Sequence, residues 1–137
     1  MDKTDEQIQK FLSAPAIAVV GASNDPEKYG HKCYLCLLNY GRKAYPVNPR
    51  ATEVLGNPAF PDLASLPEKV ESVSIITPPA VTEKVINDAI AAGVKNVWMQ
   101  PGAESPAAVK KAEKAGLNVI WGGPCLLVVM ATIGRRR

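Results

Sequence analysis

The stretch from Val19 to Gly30, VVGASNDPEKYG, decides how this chain folds. It ends a short apolar run, Ala16-Ile17-Ala18-Val19-Val20, breaks at Gly21 into a polar loop, and resumes near Tyr29 in a segment of helical character. Strand, glycine, loop, helix is the order of a phosphate-binding turn, where backbone amides and the positive end of a helix face an anion. The spacing narrows the class. After Gly21 the next glycine is Gly30, so the compact G-x-G-x-x-G of dinucleotide enzymes is absent, as is the G-x-x-x-x-G-K-[ST] loop of nucleoside triphosphatases. The amides of Ala22, Ser23 and Asn24 are the candidates to hold a pyrophosphate. Gly21 is expected to let that group approach the backbone, so that Gly21→Val abolishes binding in a domain that still folds.

The same grammar repeats outward from this stretch. Upstream, Thr4 to Gln7 fits a capping box with Thr4 as the cap, opening a helix to about Leu12. Downstream, Cys33, Leu37 and Tyr40, or Tyr34 and Leu38, form the expected buried side of the helix that Gly41 stops. KAYPVNP (43–49) is a second strand, ended by prolines that cannot extend a ladder. Residues 50–70 form a proline-punctuated crossing with at most one turn of structure, and SVSIITPP (72–79) is the third strand. Val81, Val85, Ala89, Ile86 and Ile90 recur at helical spacing before Gly93.

An internal echo follows. Ala89-x-x-Ala92-Gly93 leads to Trp98, and Ala112-x-x-Ala115-Gly116 leads to Trp121 at the same distance. Each reads as a helix end, a glycine stop and a buried strand, with Ser105-Pro106 starting the helix between. The last apolar segment, 124–134, suits a helix or a strand. Five strands separated by crossings of this length make a parallel sheet with helices on both faces, a Rossmann-like α/β three-layer sandwich. Numbered along the chain, the expected order is 3-2-1-4-5.

Composition bounds the function. With 137 residues, 47% apolar and 21% charged, the chain is that of one globular domain, residues 1–137, with an N-terminal helix within 1–14 and a basic tail at 135–137. The net charge of +3 equals the tail, so the body offers no broad nucleic-acid-binding face. No stretch reaches the roughly 18 apolar residues of a membrane span, and the charged MDKTDEQIQK start is no signal peptide. Cys33, Cys36 and Cys125 make no disulfide scaffold, which suits the cytoplasm.

The end of the second strand speaks to the ligand. Dinucleotide sites place an acid there for the ribose hydroxyls, whereas this chain has Val47-Asn48-Pro49-Arg50. A neutral amide and a cation suit a phosphorylated ribose, whether the 2′-phosphate of NADP or the 3′-phosphate of coenzyme A.

Several pieces together carry a resemblance: YPVNP (45–49), EVLG (53–56) followed by FPDLASLP (60–67), and VWMQPG (97–102), within a stretch from Ala16 to Cys125. The chain resembles the stand-alone coenzyme A-binding proteins, whose module is similar to the N-terminal domain of the succinyl-CoA synthetase alpha subunit. The resemblance implies that Gly21, Ala22, Ser23 and Asn24 hold the pyrophosphate of coenzyme A or acyl-CoA, assisted by Lys28. It puts Val47, Asn48 and Arg50 at the adenosine and its 3′-phosphate, and Thr77 and Pro78 beside the adenine. Met99, Gln100 and Pro101 would line the pantetheine path, and GGPC (122–125) is similar to the G-P-x-C turn of the synthetases.

No catalytic constellation accompanies these residues. His31 stands at a helix start and reads as a loop-facing or capping side chain. Cys33-x-x-Cys36 falls inside an apolar helix with no second pair for zinc, Cys125 reads as a small core residue, and both tryptophans as strand-end core. The expectation is a non-catalytic binding or sensor module without a metal. The alternatives are a minimal NAD(P)-linked Rossmann enzyme and a protein-interaction module regulated by acyl-CoA.

Overall fold

A computed structural model describes residues 3–135. Helix α1 (Lys3–Leu12) leads to β1 (Ile17–Val20), α2 (Tyr29–Asn39) and β2 (Ala44–Val47). The crossing to β5 (Ser72–Ile75) holds a small antiparallel hairpin, β3 (Glu53–Val54) with β4 (Asn57–Pro58), and a 3-10 turn at Leu63–Ser65. It therefore carries more structure than the single turn expected. Then come α3 (Pro79–Ala91), β6 (Asn96–Met99), α4 (Pro106–Lys114), β7 (Asn118–Ile120) and α5 (Leu126–Arg135). The final apolar segment is a helix, and Arg136 and Arg137 of the basic tail lie outside the described residues.

The main sheet is five-stranded and parallel, in the order β2-β1-β5-β6-β7. Counted along the chain this is 2-1-3-4-5, which corrects the expected 3-2-1-4-5: the third strand sits beside the first. The reason lies in which face each connection covers. Alternate residues of every strand enter opposite cores, Ile17 and Val19 with Trp98 and Ile120 on one side, Ala18 and Val20 with Val97 and Met99 on the other. The first face is filled by α1, α2 and α5 through Phe11, Leu37, Leu126 and Met130. Leu63 and Val70 of the crossing instead enter the second core with Val85 and Ile86 of α3. A right-handed connection on the opposite face moves the chain in the opposite direction, so β5 lands on the far side of β1 from β2.

Local signals place most elements. Ser105 caps α4, accepting the Ala108 amide at 3.3 Å with Pro106 next, as read from the sequence. The helix α1 already includes Thr4, so Thr4 stands inside the first turn rather than capping it. Val81 is exposed, on the solvent side of α3. The two halves of the echo diverge: Trp98 is fully buried, edge-on to Phe11 at 5.3 Å between ring centres, whereas Trp121 is half-exposed. It lies one residue beyond β7, the sheet's short last strand, where no neighbouring strand covers it. At the other edge Pro46 lacks an N–H, and the backbone of Phe60 closes the outer side of β2 through bonds to Pro46 and Asn48. No helix among the described residues is long and apolar enough to cross a membrane.

Candidate functional site

Parallel strands deliver their following loops to one end of the sheet, and the chain reverses its direction of travel between β1 and β5. Ligands of such sheets sit beyond the carboxyl ends at that reversal. Gly21 stands there. Its φ is +101°, and a Cβ on it would come within 2.0 Å of the Ile76 carbonyl oxygen. Its amide donates to Val47 at 3.0 Å, so one residue ties the first loop to β2 and presses it against the end of β5. Gly30 completes the contact, since its own Cβ would stand 1.9 Å from the Gly21 oxygen. The missing side chains thus admit neighbouring backbone, and Gly30 does the helix-to-strand packing that the third glycine does in the compact fingerprint.

The loop between these glycines leaves amides unused. The N–H groups of Ala22, Ser23 and Asn24 donate to no acceptor among the described residues, whereas those of Asp25 and Glu27 are taken by Ser23 and Asp25 side chains at 3.0 Å. The carbonyls are held from behind. Asn48 donates to the Ala22 oxygen at 2.8 Å, and the His31 ring nitrogen Nδ1 donates to the Ser23 oxygen at 2.9 Å. Asn24 reaches out to the hairpin, donating to Glu53 at 2.7 Å and accepting from the Leu55 amide at 3.0 Å. The EVLG motif is therefore a strap beside the loop. Its link to Asn24 has no sequence signal except Leu55-Gly56, which turns with positive φ at both residues.

The remaining candidates divide into surface and interior. Lys28, Arg50, Pro78 and Pro101 are exposed, and the Arg50 guanidinium has no hydrogen-bond or ion-pair partner among the described residues. Thr77 is half-buried, its hydroxyl paired with that of Thr82 at 2.7 Å across the start of α3. Asn48 has both ends of its amide engaged, since its oxygen accepts the Arg50 amide at 2.8 Å; it positions the loop and Arg50. Val47 and Ala22 are buried.

Met99 and Gln100, expected to line the pantetheine path, are fully buried in this fold. Met99 belongs to the second core. Gln100 donates to the Ser74 hydroxyl at 3.2 Å, and its oxygen accepts the Leu126 amide at 2.9 Å and the Tyr29 hydroxyl at 3.3 Å. A strand end followed by proline gives a side chain no visible reason to turn inward, so periodicity alone did not reveal this.

Two further groups at this end carry no signal in the sequence. Tyr29, the first residue of α2, touches the Cys125 sulfur with its hydroxyl, and burial raises its ionisation far above the ordinary tyrosine range. Glu104 accepts the amides of Gly102 at 2.9 Å and Gly122 at 3.3 Å, joining the loops after β6 and β7. A cavity of about 470 Å³ lies elsewhere, between the crossing and the end of α3, lined by Leu63, Leu66, Val70 and Ala92. It opens away from the ligand-end loops, because Val70 and Ala92 precede their strands.

Residues 15–131 match the family model described as "CoA binding domain". Among curated proteins, the alpha subunit of an ADP-forming acetate–CoA ligase II from Pyrococcus furiosus is 33% identical over 89% of this chain. The chain spans 29% of that subunit's length and 20% of an ADP-forming acetate–CoA ligase I from Archaeoglobus fulgidus. Among solved structures, a hypothetical protein from Pyrococcus horikoshii superposes with a TM-score of 0.86 at 37% identity, covering 96% of this chain and 91% of that one. A dinucleotide-forming acetyl-coenzyme A synthetase from Ca. Korarchaeum cryptofilum superposes at 0.70 with 38% identity, over 80% of this chain and 25% of its own.

Proposed function

This chain belongs to the CoA binding domain family, and we propose that it binds coenzyme A or acyl-CoA at the carboxyl ends of β1, β2 and β5 as a non-catalytic module. The observation that carries the reading is the run of unused amides at Ala22, Ser23 and Asn24, held in place by Asn48 and His31 at the reversal point of the sheet. Those amides take the pyrophosphate, with Lys28 at the loop's end. Arg50 takes the 3′-phosphate, its backbone fixed by Asn48 and its guanidinium uncommitted. Thr77 and Pro78 flank the base. Pro101, rather than Met99 or Gln100, offers surface to the pantetheine arm.

The non-catalytic assignment is supported by how the candidate groups are engaged. The His31 ring nitrogen faces a backbone carbonyl, and Gln100 is spent on structure. The role is that of a sensor or carrier of the acyl-CoA state in the cytoplasm, the reducing compartment that three free thiols suit.

Calorimetry with coenzyme A, dephospho-CoA and NADP tests the reading. Coenzyme A binds best, and losing the 3′-phosphate lowers affinity roughly 10- to 150-fold, the value of a charge-assisted hydrogen bond. Arg50→Ala gives a similar loss with coenzyme A and little further loss with dephospho-CoA. Equal affinity for the two coenzymes removes Arg50 from its role, and tighter binding of NADP overturns the ligand assignment.

A further inference from the structure

Tyr29, Cys33 and Cys36 occupy positions i, i+4 and i+7 of α2, which places them along one side of the helix. That side meets the start of α5, because the Tyr29 hydroxyl touches the sulfur of Cys125, the residue whose carbonyl opens the helix by accepting the Val129 amide at 3.0 Å. Cys33 and Cys125 are therefore gathered around one hydroxyl, although they are remote from each other in sequence. Among the described residues this gathering is not a metal-ligand group. The thiols differ in access: Cys33 is fully buried, and Cys125 is half-buried in a glycine-rich turn at the ligand end.

We propose that Cys125 and Cys33 form a thiol–disulfide exchange pair that takes a low-molecular-weight disulfide as its substrate. The Cys125 thiolate attacks one sulfur of R–S–S–R, forming Cys125–S–S–R and releasing one R–S⁻. Cys33 then attacks the Cys125 sulfur, closes a Cys33–Cys125 disulfide and releases the second R–S⁻. The two cysteine protons end on the departing thiols. The protein loses two electrons and the small disulfide gains them, so no further oxidant enters.

The surroundings assign the order of events. Burial pushes the Cys33 thiol up to about 12, opposed in part by its hydrogen bond to Tyr29, so Cys33 does not react first. Once Cys125 carries the mixed disulfide, the second step is intramolecular between side chains that share Tyr29, and proximity offsets the low thiolate fraction. Cys36, one turn further along α2, is a bystander. Closing the bond takes Cys125 from Tyr29, the residue that ends the first ligand loop, and so links the redox state of the pair to that loop.

The test uses the reduced full chain and oxidised glutathione, followed by acid quench, intact mass measurement and peptide mapping. Glutathione carries no nucleotide, so the outcome is independent of the coenzyme A reading. The wild type ends with the mass of two hydrogens lost, no adduct, and a cross-link mapped to Cys33 and Cys125. Cys33→Ser stops with one glutathione on Cys125, Cys125→Ser forms no Cys33 cross-link, and Cys36→Ser matches the wild type. A stable adduct on the wild type, a cross-link through Cys36, or no reaction without denaturant overturns the proposal. The wild-type map decides even where a variant fails to fold.

Discussion

The carbonyl oxygen of Gly21 stands 1.9 Å from the point that a Cβ on Gly30 would occupy. The first turn of α2 therefore rests on the backbone of the loop that follows β1, and neither partner is a flexible side chain that can step aside. Gly30→Ala forces the two apart and is expected to cost about 1–3 kcal/mol or more, as overpacking of a tight interior does. Urea denaturation measures it. A variant as stable as the wild type means that the helix does not approach the loop so closely.

The same geometry revises what Gly21→Val does. The sequence suggests a folded protein that no longer binds, but the added side chain meets the Ile76 backbone at a φ of +101°. The expected outcome is loss of the fold itself. A wild-type circular dichroism spectrum for this variant contradicts the packing.

Gln100 is the next substitution to separate structure from binding. Gln100→Ala leaves the Leu126 amide, the Tyr29 hydroxyl and the Ser74 hydroxyl without their shared partner inside the core. A cost of about 2–4 kcal/mol is expected, because buried polar groups are left unmatched and a cavity opens. Denaturation shows this directly. Unchanged stability with weaker coenzyme A and unaltered 3′,5′-ADP would restore Gln100 to the pantetheine path.

Alkaline pH is expected to destabilise the protein through Cys33. In an unfolded chain a thiol loses its proton near about 8.5; in the fold, burial holds Cys33 neutral to about 12. Between these values the unfolded state binds fewer protons, so stability falls as pH rises, by up to about 1.4 kcal/mol per pH unit. Urea curves from pH 7 to 10.5 should show the decline, and Cys33→Ala should flatten it. An equal slope in that variant assigns the effect to other groups, Tyr29 first, since its ionisation is raised as well.

The features legible in the chain alone are local or periodic. Apolar runs bounded by glycine and proline placed β1, β2, β5 and β6, and the Ser105-Pro106 signal placed α4, because hydrogen bonding within a few residues decides such features. The sequence also singled out the loop at Ala22–Asn24 and the cation at Arg50, since their chemistry is written in their residue types. The remaining features depend on how whole elements pack. Strand order depended on which face Leu63 and Val70 cover, a matter of what α1 and α5 already occupy. Gln100 and Trp121 show the same dependence in opposite senses: a polar side chain turned inward because three distant partners await it, and an aromatic left half-exposed because its strand is short and last in the sheet. The meeting of Cys125 with Tyr29, 96 residues apart, arises only when α5 folds back onto α2. Contacts of that range are set by the competition among whole elements for the two faces of one sheet, and no window of sequence contains it.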